Sequence, residues 1–220
     1  MIYNMKKPID KNKLEVIIFD MDGVIIDSEK EKFKFLQKIF IETGLSLGNK
    51  SFPQVVGVRV SDFLDSQSLN DSLRKTILKK FKNVFLKNKI NFIKPIKENV
   101  DFLKQYKGSR KLAIVSNGDN ESNKNIAKYL KINKNISLII SSNRTKLPKP
   151  HPYIYLKAAK VLNVNPNNCI VIEDSIVGVE AATRASMNCC VFLNDYNRKK
   201  DFKKYKIYKF IKNIHDLYDI

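Results

Sequence analysis

Short apolar runs that stop abruptly at polar residues constrain this chain more than any other feature. Glu15-Val-Ile-Ile-Phe19 stops at Asp20, Leu112-Ala-Ile-Val115 at Ser116-Asn117-Gly118, and Ile170-Val-Ile172 at Glu173-Asp174. Continuous β-branched runs of this kind, without polar alternation, read as parallel strands buried on both faces. Leu138-Ile-Ile140 and Cys190-Val-Phe-Leu193 are further candidates. Helical patterns lie between them, over Lys97 to Tyr106, Asn120 to Leu130, Pro152 to Leu162 and Ser175 to Ser186. Such alternation predicts an α/β fold, a Rossmann-like open parallel sheet built from right-handed βαβ units with helices on both faces.

One stretch breaks the alternation. Glu29 to Thr43 reads as an amphipathic helix closed by Gly44, with Phe33, Leu36, Phe40 and Ile41 on its apolar side. Asn70 to Leu86 reads as a second helix, striped by Leu73, Ile77, Leu78, Phe81, Val84 and Phe85. No strand pattern lies between them, so residues 29–94 are expected to form an α-helical domain inserted into a core of residues 1–28 and 95–220. A chain of 220 residues is long enough for that arrangement.

In open α/β sheets, ligands bind where the strands end. Those ends carry Asp20 with Asp22, Ser116 with Asn117, and Glu173 with Asp174; Lys149 joins them, held between Pro148 and Pro150. Converging carboxylates repel one another unless a cation neutralises them. Oxygen donors without His or thiolate favour Mg²⁺. A lysine and a hydroxyl nearby suit the oxygens of a phosphoryl group. Each motif alone has a bland reading: Asp after a strand is often a cap or turn residue, Ser-Asn-Gly an ordinary turn, and Pro-Lys-Pro an exposed loop.

Together and in this order the residues resemble the haloacid dehalogenase superfamily. Phe19-Asp20-Met21-Asp22-Gly23-Val24 is similar to its first motif in the phosphatase form, and Ser116-Asn117, Lys149-Pro150 and Glu173-Asp174-Ser175 with Gly178 are similar to the second, third and fourth. The helical insertion after Asp27-Ser28 resembles the small cap of the β-phosphoglucomutase-like branch. The resemblance implies roles. Asp20 would be the nucleophile, forming an aspartyl-phosphate, and Asp22 the general acid and base. Mg²⁺ would bind Asp20, the backbone carbonyl of Asp22, and Asp174, with Glu173 in support. Ser116, the backbone of Asn117, and Lys149 would hold the phosphoryl oxygens.

The branch contains phosphatases and mutases. Its mutases carry a His where this chain has Lys32, and an Arg three positions after the cap-loop glycine, where Gly57 is followed by Val60 and Arg59 lies one earlier. Phosphatase is therefore the expectation, with Arg59 a candidate substrate contact and a β-phosphoglucomutase-type mutase the alternative. A sugar phosphate is the first substrate candidate; phosphoglycolate, nucleotide monophosphates and flavin mononucleotide compete with it.

The formal charge of +19 raises a nucleic-acid or membrane partner as a distant alternative. Lysines run from Lys6 to Lys212, however, interleaved with Asn and Ile rather than gathered in one arm, and no nucleic-acid motif is present. Neither partner is expected. Residues 1–13 lack the apolar core of a signal peptide, no apolar stretch is long enough to span a bilayer, and Cys169, Cys189 and Cys190 read as buried reduced thiols. These features predict a cytoplasmic protein, and a monomer is the default expectation.

Overall fold

The computed structural model describes residues 10–144 and 147–217; most of the leader reading of residues 1–13 lies outside them. Its strands are β1 (Val16–Phe19), β2 (Ile26–Asp27), β3 (Lys94–Pro95), β4 (Lys111–Ser116), β5 (Ile136–Ser141), β6 (Cys169–Glu173), β7 (Asn188–Phe192) and β8 (Lys209–Ile211). Six of them form one parallel sheet in the order β5-β4-β1-β6-β7-β8. The five apolar runs are all strands of this sheet. Its outermost strand β8 is a three-residue segment too short to announce itself, with only Ile211 fully buried.

The continuous runs are buried on both faces, as their composition demands. Ile17, Phe19, Leu112, Ile114, Ile170 and Ile172 pack with Val100, Phe102, Leu103, Ile126 and Ala127 on one face. Val16, Ile18, Ala113, Val115 and Val171 pack with Ile154, Tyr155, Ala158, Val179 and Ala182 on the other. The covering helices are thus α5 (Lys97–Gln105) and α6 (Asn120–Tyr129) on the first face, and α7 (Tyr153–Leu162) and α8 (Ile176–Arg184) on the second. Each fully buried Ile or Phe contributes about 1.5–3 kcal/mol to the fold. Cys189 and Cys190 divide between the two faces, and all three cysteines are buried and outside any disulfide.

Between β2 and β3, which pair antiparallel, the chain is helical: α1 (Glu29–Glu42), α2 (Phe52–Val55), α3 (Val60–Asp65) and α4 (Asp71–Phe81). This segment has a hydrophobic cluster of its own, centred on Phe33, Leu36, Phe40, Phe63, Ile77, Phe81 and Phe85. Two of the expected apolar positions are corrected. Ile41 is 72% exposed, because the stripe of α1 runs through Ile39 on the opposite side. Val84 is also exposed: the helix widens into a π-helical turn over Lys82–Leu86, which keeps Phe85 inward and turns Val84 out. No helix among the described residues is long and apolar enough to cross a membrane.

Candidate active site

β1 has β4 on one side and β6 on the other, so connections leave it in both directions and a crevice opens at its carboxyl end. A cavity of about 340 Å³ lies there, between the sheet ends and the helical segment, lined by Asp20, Asp22, Arg59, Ser116, Asn117 and Lys149. Every one of these was singled out in the sequence.

Asp20, Glu173 and Asp174 are all buried, with carboxylate oxygens within 4.8 Å of one another. Lys149 bridges two of them. Its ammonium donates to Asp20 Oδ1 at 2.5 Å, to Glu173 Oε1 at 2.5 Å and to the carbonyl of Val115 at 2.9 Å. Burial pushes the Asp20 carboxyl up to about 8, with Lys149 opposing and Glu173 adding to the rise. Burial, then Glu173 and Asp20, drive Asp174 well above the usual carboxylate range. Lys149 itself is held above its ordinary value: burial disfavours its charge, but Asp20 and Glu173 outweigh that. Three buried carboxylates, of which one ammonium bridges only Asp20 and Glu173, are hard donors short of positive charge, and they fit a hard divalent cation such as Mg²⁺.

Glu173 is saturated by the protein. Its Oε1 also accepts from the Tyr155 hydroxyl at 2.8 Å, and its Oε2 accepts from the amides of Asp174 and Ser175 and from Ser175 Oγ. Gly178, at the start of α8, is what makes room: a Cβ there would lie 1.9 Å from the Glu173 carboxyl carbon. Gly23 does the same for Asp174, with φ +88° and a hypothetical Cβ 1.9 Å from Oδ2.

Asp22 is not part of the carboxylate trio. Its side chain turns toward the helical segment, accepting from Ser28 Oγ and, at 2.6 Å, from Lys89 Nζ. Burial would raise its pKa, yet Lys89 and Ser28 hold it below the usual range. Ser116 is buried, its Oγ accepting from the Gly118 amide at 2.9 Å. The Asn117 side chain accepts from Lys149 N at 2.9 Å and donates to Lys149 O at 3.2 Å, while its carbonyl accepts from Ser142 Oγ at 2.7 Å. Arg59 reaches the cavity wall with its guanidinium forked onto Asp62, at 2.9 and 2.6 Å. Lys32 also lines the cavity, 2.6 Å from Glu29 and bonded to Val55 O at 3.0 Å.

Sequence reading missed Lys89, Tyr155 and Asn194. Lys89 is one of many lysines, with no local signature; Tyr155 is hidden in the apolar stripe of α7. Asn194 donates to Asp174 Oδ2 at 2.8 Å and follows Cys190-Val-Phe-Leu193. The rule that a polar residue ends an apolar strand would have found it.

Known proteins share this architecture. A phosphoglycolate phosphatase from Aquifex aeolicus is 30% identical over 190 residues, 83% of this chain and 86% of its own length. A phosphorylated carbohydrates phosphatase from Thermotoga maritima is 28% identical, over 79% of this chain and 82% of its own. A β-phosphoglucomutase from Clostridium difficile superposes with a TM-score of 0.74 at 26% identity, covering 93% of each chain. The family model described as haloacid dehalogenase-like hydrolase matches residues 17–192, most of the sheet and the whole cavity floor. With that match across the strand ends that carry the carboxylates, the chain belongs to the haloacid dehalogenase-like hydrolases.

Proposed function

We propose that the chain is an Mg²⁺-dependent phosphatase that hydrolyses a small phosphorylated metabolite through an aspartyl-phosphate on Asp20. The observation that carries this reading is the buried trio of Asp20, Glu173 and Asp174, with Lys149 bridging the first two and Asp20, Asp22 and Lys149 lining one cavity. Residues 29–94 serve as a helical cap over a core of residues 1–28 and 95–220. Asp20, the backbone carbonyl of Asp22, and Asp174 would hold Mg²⁺. When bound, that ion neutralises the converging carboxylates and draws charge from the phosphoryl oxygens.

A carboxylate oxygen of Asp20 attacks phosphorus, and the leaving oxygen takes its proton from Asp22. The phosphoryl dianion adds negative charge beside Asp22, raising its proton affinity from the low value that Lys89 imposes and readying it as an acid. Asp22 then takes a proton from water, whose oxygen attacks the aspartyl-phosphate and restores Asp20. Ser116, the Asn117 amide and Lys149 orient the phosphoryl oxygens. Glu173, saturated by Lys149, Tyr155 and Ser175, anchors the ammonium rather than reacting.

A sugar phosphate is the first substrate candidate, a class consistent with the name of the Thermotoga maritima relative. The mutase alternative draws on the β-phosphoglucomutase likeness. Lys32 weighs against it, since a protonated lysine paired with Glu29 lacks the lone pair that a histidine brings to proton transfer. Buried cysteines outside any disulfide suit a reducing, cytoplasmic setting. A screen of phosphorylated metabolites with Mg²⁺, scoring free phosphate and isomerised product separately, tests the reading. Phosphate release that is lost in Asp20→Asn is expected; near-normal release from that variant would defeat the nucleophile assignment.

A further inference from the structure

The loop after β7 makes contacts in two directions that the family motifs do not include. Toward the sheet, Asn194 uses both amide protons, on Asp174 Oδ2 at 2.8 Å and on the carbonyl of Gly23 at 3.1 Å. Its Oδ1 accepts from the Tyr196 amide at 2.9 Å, which fixes the orientation of the amide group. Asn197, buried behind it, donates to the backbone carbonyls of Asp174 at 2.8 Å and Phe192 at 3.0 Å. The loop therefore grips Asp174 by both side chain and main chain.

Toward the helical segment, the Tyr196 hydroxyl donates to Asp27 Oδ1 at 2.6 Å, in the two-stranded ribbon through which the chain enters and leaves that segment. The Tyr196 ring packs edge-on against Phe52, 5.6 Å between centroids, and lies under the Lys30 ammonium at 5.4 Å. Three residues of chain thus connect a carboxylate of the trio to the entrance of the cap.

We propose that Asn194 is a positioning residue for Asp174, and that the Tyr196–Asp27 bond makes the same loop a tie between the cap hinge and the metal cluster. Cation affinity then depends on the seating of the cap. Coupling of this kind is reciprocal, so a bound cation also favours the seated cap. A neutral amide suits the first task. It orients the carboxylate without adding a charge that would compete with the cation. The proposal rests on the reading of Asp20 and Asp174 as a Mg²⁺ site.

The test is a Mg²⁺ titration of the purified chain read by its thermal unfolding midpoint, which needs no substrate and no turnover. Asn194→Ala is expected to raise the Mg²⁺ concentration for half-maximal stabilisation about tenfold. Asn194→Ser, which keeps one donor, should recover part of that loss. Tyr196→Phe keeps the ring contacts and removes only the hydroxyl, so a smaller rise, about threefold, is expected. An unchanged half-saturation in both Asn194 variants would overturn the positioning role, and an unchanged one in Tyr196→Phe would overturn the tie. Asp174→Asn should abolish the response. A wild-type midpoint indifferent to Mg²⁺ would instead overturn the metal reading and this proposal together.

Discussion

Replacing Asp20 by Asn should stabilise the metal-free protein, and more so at alkaline pH. The reason is the sign of the Asp20 shift. Its carboxyl is 7% exposed and titrates at about 8 in the folded chain, against 3.8 as the ordinary value. A carboxyl raised in this way favours the fold while protonated. That contribution is whole below the unfolded value and is lost as pH climbs through the folded one. From these two values the linked cost of Asp20 is about 2 kcal/mol at pH 5.5 and about 5 kcal/mol at pH 8. Asparagine has no proton to lose, and its amide oxygen can still accept from Lys149, which keeps Glu173 as a charged partner. The assay is urea unfolding followed by circular dichroism, in EDTA, for both proteins at several pH values. Asp20→Asn should gain on wild type by about 3 kcal/mol between pH 5.5 and pH 8, and saturating Mg²⁺ should restore wild type at the alkaline end. The slope is the test, and it reports Asp20 together with Asp174, whose rise Asp20 helps to set. A stability difference flat across that range would refute the argument that metal-free Asp20 is held against its ionisation.

Gly178→Ala would push a methyl group to 1.9 Å from the Glu173 carboxyl carbon, so Glu173 must move and take Lys149 with it. A loss of about 3 kcal/mol in urea stability and a turnover drop of tenfold or more, as an order of magnitude, are expected; wild-type turnover would show that Glu173 does not anchor the lysine. Lys89→Met removes the cation that holds Asp22 low, so the limb of the pH–rate profile reporting Asp22 should move about one unit toward higher pH. An unmoved profile would mean that Lys89 does not act on Asp22 during turnover.

The strand framework was legible because a buried parallel strand is apolar on both faces, and the abrupt polar stop marks its carboxyl end. Asp20, Ser116, Asn117, Glu173 and Asp174 all lie at such stops, which is why a linear reading gathered residues that meet only in three dimensions. Helix faces were harder. Ile39 and Ile41 are two positions apart and equally apolar, and only the packing of α1 against α4 decides which is buried. Lys89 was not legible at all: a basic residue among 41 lysines and arginines gains its role only when the chain folds back over β1 and sets its ammonium on Asp22. The ribbon of β2 and β3 was missed for a related reason, since a two-residue strand carries no period.

The ionic groups around the cavity divide into balanced and unbalanced sets, and the division explains the electrostatics. Glu29 is paired with Lys32, Arg59 with Asp62, and Asp22 with Lys89, each a neutral couple. The trio is different: three carboxylates against the one ammonium of Lys149 leave 1 − 3 = −2 if all are ionised. Burial first, and then the repulsion among the carboxylates, raises Asp20 and Asp174, so that these two hold their protons. On the proposed reading, a divalent cation held by Asp20 and Asp174 would supply the missing charge and favour their ionised forms. The imbalance that burdens the fold without a cation would therefore be the same one that draws the ion and leaves Asp20 ionised, the form that the proposed nucleophile role requires.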